Sequence, residues 1–469
     1  ISGENKILRH CTITQNAAWW SYGGGIVVDG TAEISGSIVA NNFALQFATV
    51  PDCAGILNSK DYNLIGDTNG CTITNLTAHN IYGQDPLLGS LADNGGLPPT
   101  HALLLGSPAI DRGTSGGITT DQRGMPRTFN FPAYLDIADG TDIGAYELQE
   151  RAQTGPLFTV NSIGDTDDGV PGIAHCSLRE AIAAANISPG TNTIGFASVV
   201  PNVMEGVAGT IVLTNGELVI TNDLNIIGPG ATNLIVAGNR ASRVLHITRG
   251  SVQLSGLTIA DGWVPAEGKW SVGGGILNEG NLMISDCWIR DCEGGYGGGG
   301  VANRQTLTMT RCTLSSNNGA AGAGGGINNL GWLAATNCTI SRNVANSGAG
   351  GIYVGDAAIA ILQSCTVSSN STHFLTSPGG ILAIGGAVSL QGTIVARNFG
   401  AGPTDVETRS GGLFSSGDFN LIGNTNGMPT TGVTTHNIYG QDPLLGPLAD
   451  YGGPTPTHAL RFDSPAIDA

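Results

Sequence analysis

Acid–base chemistry needs carboxylates close together, and this 469-residue sequence spaces them sparsely. Hydrolysis of a glycosidic bond uses two carboxylates about 5 to 9.5 Å apart. Lyase chemistry uses carboxylates to hold Ca²⁺ and a basic residue to abstract a proton. From Gly294 to Thr404, 111 residues, there is one carboxylate, Asp356; the outward positions there read as Ser, Thr, Asn and a few Arg. A richer patch holds Asp286, Arg290, Asp291 and Glu293. Its repeat register sets Asp286 beside Arg311, which makes an ion pair rather than a carboxylate dyad. The sequence therefore reads as non-enzymatic with no catalytic residue, and a polysaccharide lyase or glycoside hydrolase is the alternative to be tested.

Other residues carry binding chemistry. Asp165, Asp167 and Asp168 cluster before Gly169; they read either as Ca²⁺ ligands or as a solvated acidic turn. No Cys-x-x-Cys lies near a histidine, so zinc has no ligand set. Trp19, Trp20 and Tyr22 crowd one loop, Trp263 and Trp270 an equivalent one, and His373-Phe374 a third. Four of the six tryptophans thus use one edge. Such an edge fits sugar stacking or protein contact, or packs beneath neighbouring loops. His79 and His101 recur as His436 and His458, fitting a metal or catalytic role or a structural grip on loop carbonyls.

The elements that position these residues follow from two repeats. Asp61-Tyr-Asn-Leu-Ile-Gly66 recurs as Asp418-Phe-Asn-Leu-Ile-Gly423, His79 to Gly89 as His436 to Gly446, and Ser107 to Asp111 as Ser464 to Asp468, all offset by 357. Within each module a shorter period runs. A Gly-Gly-apolar step ends at Ile276, Val301, Ile327, Ile352 and Ile381. A second series reads Cys287-Trp-Ile, Cys312-Thr-Leu, Cys338-Thr-Ile, Cys365-Thr-Val and Gly392-Thr-Ile. Alternating stretches such as Thr306 to Thr310 lie between them, the period-2 signature of strands. Three short strands every 25–29 residues, without helices, predict an all-β, right-handed parallel β-helix whose coils stack about 4.8 Å apart.

Stacking puts like residues over like. Asn16, Asn317, Asn343 and Asn370 each follow a Cys by five residues, at a turn where Asn tolerates left-handed backbone and its amide bonds from coil to coil. Asp261 and Cys292 are read as their mates that end the ladder. Cys287, Cys312, Cys338 and Cys365 form an inward column, read as buried thiols rather than bridges, because parallel Cβ vectors suit a disulfide poorly. Cys53 and Cys71 are the best disulfide pair: in the second copy 71 becomes Met428 and the region of 53 reads Thr408-Arg-Ser410, so both are lost together. Ser177-Leu-Arg-Glu180 is a capping box opening a helix that covers the first coil. The Gly- and Pro-rich stretch 83–150 and its copy 440–469 are expected to close the other end.

Cys176-Ser-Leu-Arg-Glu-Ala-Ile182, with Phe158-Thr-Val-Asn-Ser before it and Ala185-Asn186 after, resembles the CSLREA-type region of large bacterial surface proteins. Asp85-Pro-Leu-Leu-Gly89, Thr100-His-Ala-Leu103, Gly106 to Asp111, Asp121-Gln-Arg-Gly124 and Asp142-Ile-Gly-Ala-Tyr-Glu147 are similar to the choice-of-anchor Q domain, found C-terminal to predicted β-helices. The Gly-Gly-Ile coils are similar to polymorphic outer-membrane adhesins. The resemblance implies an extracellular, cell-surface β-helical protein and implies no reaction. The second Q-like copy lacks the closing motif.

Composition agrees with that class. Glycine is 73 residues, DEKR only 12%, lysine occurs three times, and the formal charge is −17. With no basic run, nucleic acid and anionic membrane are poor partners. No 18-residue apolar run supports membrane insertion in this segment. The expected organisation is last coils of a first module (1–45), a closing segment (46–150), a cap with first strands (151–235), coils (236–405) and a second closing segment (406–469). The chain starts in mid-pattern, as a piece of a longer tandem array would. The expected role is a structural or adhesive rod or fibre whose partner is itself, end to end; the alternative is an adhesin holding surface glycan on the aromatic edge. No cofactor is expected apart from the Ca²⁺ reading.

Overall fold

The computed structural model describes residues 6–18, 23–44, 52–94, 96, 98–104, 106–130, 134–149, 153–167, 171–173, 175–197, 208–267, 271–373, 376–400, 405–425 and 431–468. The chain folds as two compact units, Ile1–Arg151 and Ala152–Ala469.

The C-terminal unit is a solenoid with three parallel walls. The longest wall has 11 strands, among them Ser251–Ser255, Asn281–Ser285, Thr306–Thr310, Trp332–Thr336, Ile359–Gln363 and Ala387–Gln391. A 10-stranded and an 8-stranded wall stand beside it, and a short 5-stranded parallel sheet from Trp263–Val264 to Ser371–Thr372 lines a corner of the middle coils. Register is regular: Asn281 pairs with Thr306, Thr306 with Trp332, Trp332 with Ile359 and Ile359 with Ala387. Alternation decides which side is in. Leu307 and Met309 are buried while Thr306, Thr308 and Thr310 face out. The columns Ile276–Val301–Ile327–Ile352–Ile381 and Ile289–Leu314–Ile340–Val367–Val395 are each 0% exposed. Burying each such side chain is worth about 1.5–3 kcal/mol.

The Gly-Gly-apolar step has a packing cause. A Cβ on Gly326 would lie 2.8 Å from the Gly351 carbonyl and 3.1 Å from the Asn343 amide nitrogen. The second glycine of the step is therefore the place where one coil's backbone meets the next coil's amide ladder.

The helix Leu178–Ile187 opens on its capping box: Glu180 N donates to Ser177 Oγ at 3.1 Å and Ser177 N to Glu180 Oε2 at 2.7 Å. Leu178, Ala181, Ile182 and Ala185 join the core beside Phe158, Ile194 and Leu218. This is the cover of the first coil that the sequence predicts.

Four expectations need correction. The left-handed residue is not the ladder asparagine but the one before it: Asp291, Ser316, Arg342, Ser369 and Arg397 have φ of 56–61°. The mate of Cys292 is Gly262 rather than Asp261, since Trp263 pairs with Glu293 and Ala260 with Arg290. Likewise Thr366 pairs with Ile394, so Thr393, not Gly392, takes the cysteine's inward place. Finally, the closing segment does not cover the solenoid's end. Its antiparallel strands Leu445–Ala449 and Thr457–Leu460 lie on the outside of the 10-stranded wall. Thr313 Oγ1 donates to the Pro456 carbonyl, Thr339 Oγ1 meets Thr457 Oγ1 at 2.9 Å, and Ser341 Oγ meets His458 Nε2 at 2.9 Å. The threonines following the core cysteines do point outward, and this hairpin buries two of them.

The N-terminal unit repeats the plan on a smaller scale. Its walls are Ile7–Arg9, Ile26–Ser35, Cys53–Lys60 and Cys71–Leu76, and Thr12–Ile13, Ile38–Val39, Leu64–Ile65 and Ile81–Tyr82.

Candidate functional site

Buried amides run along the axis of each unit. Asn317 donates from N and Nδ2 to Asn343 Oδ1 at 3.0 and 2.9 Å, and Asn343 does the same to Asn370 Oδ1 at 3.0 and 2.9 Å. Asn370 passes to Asn398, and Asn398 ends on Asp405 Oδ1. Burial pushes the Asp405 carboxyl upward. In the other unit Asn16 donates to Asn42, and Asn42 to Asp52. A second ladder, unread in the sequence, joins Asn278, Asn303 and Asn329 at 2.8 and 2.7 Å. Its signal is present: each asparagine follows the apolar residue of the Gly-Gly step by two.

The cysteines keep the column expected of them. Cys287, Cys312, Cys338 and Cys365 are buried free thiols, donating to the carbonyls of Ser285, Thr310, Thr336 and Gln363 at 3.2–3.3 Å. Burial pushes the Cys287 thiol up to about 12. Cys53 and Cys71 form a disulfide with Cα atoms 5.5 Å apart.

The clearest titratable cluster on the C-terminal unit's walls is one the sequence reading missed. Glu217, Arg243, His246, Glu279 and Arg304 come from successive coils of the 8-stranded wall, where Leu218 pairs with Leu245 and Leu245 with Ile276. His246 sits between two carboxylates, Nδ1 3.4 Å from Glu217 Oε1 and Nε2 3.0 Å from Glu279 Oε2. Arg243 pairs with Glu217, and Arg304 with Glu279 at 2.9 Å. The bond to Glu217 raises His246 against the pull of burial, and Glu279 adds to it. Burial lifts Glu217, but His246 and Arg243 outweigh it and hold the group low. Both imidazole nitrogens and both carboxylates are thus committed to one another. The cluster clamps four successive coils.

The patch weighed in the sequence is paired too. Arg311 grips Asp286 with two bonds of 2.7 Å, Arg290 meets Asp291 at 2.5 Å, and Asn318 Nδ2 donates to Glu293 at 3.3 Å. In the N-terminal unit a sealed cluster holds the closing segment. Asp121, Arg127, Asp142 and Glu147 are 0–6% exposed. Each of the three carboxylates accepts at least two backbone N–H groups, as when Glu147 receives Phe129 N and Asp142 N. Burial raises Asp142 and Glu147.

Asp165 accepts both arms of Arg179 at 2.8 and 3.0 Å, and the N–H groups of Thr214 and Asn215 at 2.7 and 2.9 Å. Its carboxylate ties the cap helix to the first coils. Asp167 is engaged as well, and Asp168 lies outside the described residues. Among the described residues, no three His, Cys, Asp or Glu side chains converge as metal ligands. Of the aromatic edge, Trp19, Trp20, Tyr22, Trp270 and Phe374 lie outside the described residues. Trp263 is half-buried in a short strand paired with Glu293–Gly294. His101 and His458 hold the carbonyls of Gly89 and Gly446 at 2.8 Å. His79 and His436 instead bond Asp61 and Asp418 at 2.7 Å and stack on Tyr62 and Phe419.

The outer face of the longest wall is uncharged across five strands, from Asn281–Ser285 to Ala387–Gln391. Met283, Trp332, Ile359 and Ile361 stand out of it, 37–52% exposed. Among the described residues, no helix is long and apolar enough to cross a membrane.

Residues 202–387 match the family model described as a right handed beta helix region. The fold is a right-handed parallel β-helix. The matched span runs through the coils that carry the Asn278–Asn329 ladder, the Asn317–Asn370 part of the other ladder and the Glu217–Arg304 clamp. No curated protein matches the chain.

Proposed function

We propose that this β-helix is a non-enzymatic, extracellular rod, structural or adhesive, built from tandem modules. The observation that carries the reading is where the polar chemistry is spent. Inside, asparagines bond from coil to coil along the axis; outside, Glu217, Glu279, Asp286 and Asp291 of the coil walls are paired with arginine or histidine. Such an arrangement resists bending and leaves proteases few charged, flexible handles. The resemblances to CSLREA-type and choice-of-anchor Q regions support a cell-surface setting, and the uncharged outer wall supports contact with neutral partners. The test is incubation with a panel of neutral and acidic polysaccharides, with and without Ca²⁺, followed by assays for new reducing ends and unsaturated products. The reading expects neither; product above a heat-denatured control overturns it. A glycan-binding adhesin is the second reading, resting on the four tryptophans that the sequence repeat assigns to equivalent loops. If it holds, Trp19→Ala with Trp20→Ala abolishes binding to a glycan that the parent chain retains.

A further inference from the structure

The two units carry the same seat, filled in one and open in the other. In the N-terminal unit, residues 113–130 and 134–149 fold back over that unit's coils. Gly144 N donates to the Gly36 carbonyl at 2.8 Å, and Ala145 N to Thr12 Oγ1 at 2.9 Å. Gly144 is held at φ 110°, and a Cβ there would lie 2.8 Å from both Ile38 Cδ1 and Thr12 Oγ1. Arg127, 1% exposed, donates to the Gly144 carbonyl at 3.0 Å and reaches His10 Nδ1 at 3.3 Å. Ile143 N adds a bond to the Ala109 carbonyl at 2.9 Å, and Asp111 N bonds Asp142 at 2.8 Å.

The C-terminal unit has the receiving atoms in the same register. Thr366, Ile394 and Leu421 stack as Thr12, Ile38 and Leu64 do. Gly392, at φ 55°, matches Gly36 at φ 54°. Ala466 and Ile467 repeat Ala109 and Ile110. Their surroundings differ. Ile110 is 1% exposed and Ile467 41%; Gly36 is buried and Gly392 exposed; Ile38 is buried and Ile394 half-buried. Among the described residues, no donor reaches Thr366 Oγ1 or the Gly392 carbonyl. Together they line a cavity of about 280 Å³, with Ile438 and Leu460 on its apolar side.

We propose that this groove is a peptide-docking site and that its occupant is a closing segment of the 113–149 type. Recognition needs three features: a glycine flat enough to lie on Ile394, a following backbone N–H for Thr366, and an arginine that holds the glycine's carbonyl from outside. Ser364 stands where His10 does and is the smaller residue, so the arginine has room. The inference holds whether the rod is structural or adhesive, because it concerns how a module is finished rather than what it touches.

The test is hydrogen exchange on the 469-residue chain extended at its C-terminus by the sequence of residues 113–149. The amides of 364–367, 392–395 and 465–468 should slow at least tenfold relative to the unextended chain. Extension carrying valine in place of the glycine that copies Gly144 should leave the coils folded and remove that protection. Unchanged exchange in the first extension overturns the proposal, as does equal protection by the valine version. Protection of these amides in the unextended chain that grows with protein concentration would name a second copy as the occupant and overturn the assignment as well.

Discussion

Asn343→Ala tests whether the amide ladder carries the solenoid's stability. Asn343 is 0% exposed. Its Oδ1 accepts Asn317 N at 3.0 Å and Asn317 Nδ2 at 2.9 Å, while its Nδ2 donates to Leu314 O at 3.0 Å and Asn370 Oδ1 at 2.9 Å. Truncation leaves Asn370 Oδ1 with the Asn343 backbone N–H, and Asn317 Nδ2 with the Ile289 carbonyl. Two donors are orphaned: the Asn317 backbone N–H and its second amide hydrogen. At about 1–3 kcal/mol for each buried unsatisfied group, the expected loss is roughly 2–6 kcal/mol. Asn16→Ala, at an exposed ladder end, should cost under about 1 kcal/mol. Urea unfolding followed by hydrogen exchange reads both. Because each coil contacts only its neighbours, protection should fall first near Ile289 to Asn370 and spread outward. A loss below about 1 kcal/mol for Asn343→Ala, or one equal to that of Asn16→Ala, refutes the reasoning.

Two histidines should respond to pH with opposite sign. His246 is raised by Glu217 and Glu279, so its contribution is present below 6.5 and is lost as pH rises through its folded value; exchange protection across residues 217–304, corrected for the intrinsic rate at each pH, should fall at alkaline pH in the parent and stay level in His246→Gln. His10 is lowered to about 4 by burial and Arg127, so its contribution is present above 6.5 and fades as pH falls toward 4. Relative to His10→Gln, the parent's closing segment should loosen over that acid range, read by exchange of residues 113–130. Replacing Cys53 and Cys71 by serine opens a loop of 18 residues and should cost about 3 kcal/mol in the N-terminal unit, measured by urea unfolding of the oxidised and double-serine chains. Cys287, Cys312, Cys338 and Cys365 should stay unlabelled by a maleimide in the native chain and label together on unfolding; labelling of any one in the native state contradicts the sealed column.

The coil was legible in the sequence because its strands are short and punctuated. Inward Cys-x-apolar steps and Gly-Gly-apolar steps recur at one spacing, and alternation between them fixes faces. The helix announced itself through Ser177 and Glu180, and the disulfide through the joint loss of its partners in the second module. What stayed hidden was register at the single-residue level. Gly392-Thr-Ile looks like Cys365-Thr-Val, yet the strand slides by one and puts Thr393 inward; Asn398 and its acceptor Asp405 were missed with it. The His246 clamp was invisible for a different reason. Its members lie on strand ends of successive coils, 25–33 residues apart, and no local motif marks them. The closing hairpin was misplaced because irregular segments carry no period, and only the outward threonines it covers say where it lies.

The most direct test of a mechanical, stacked rod is electron microscopy and diffraction of the purified protein after protease treatment. The account predicts straight, protease-resistant rods or filaments with an axial spacing of about 4.8 Å. Rounded particles without that spacing, or rapid cleavage within the coils 251–396, would contradict it.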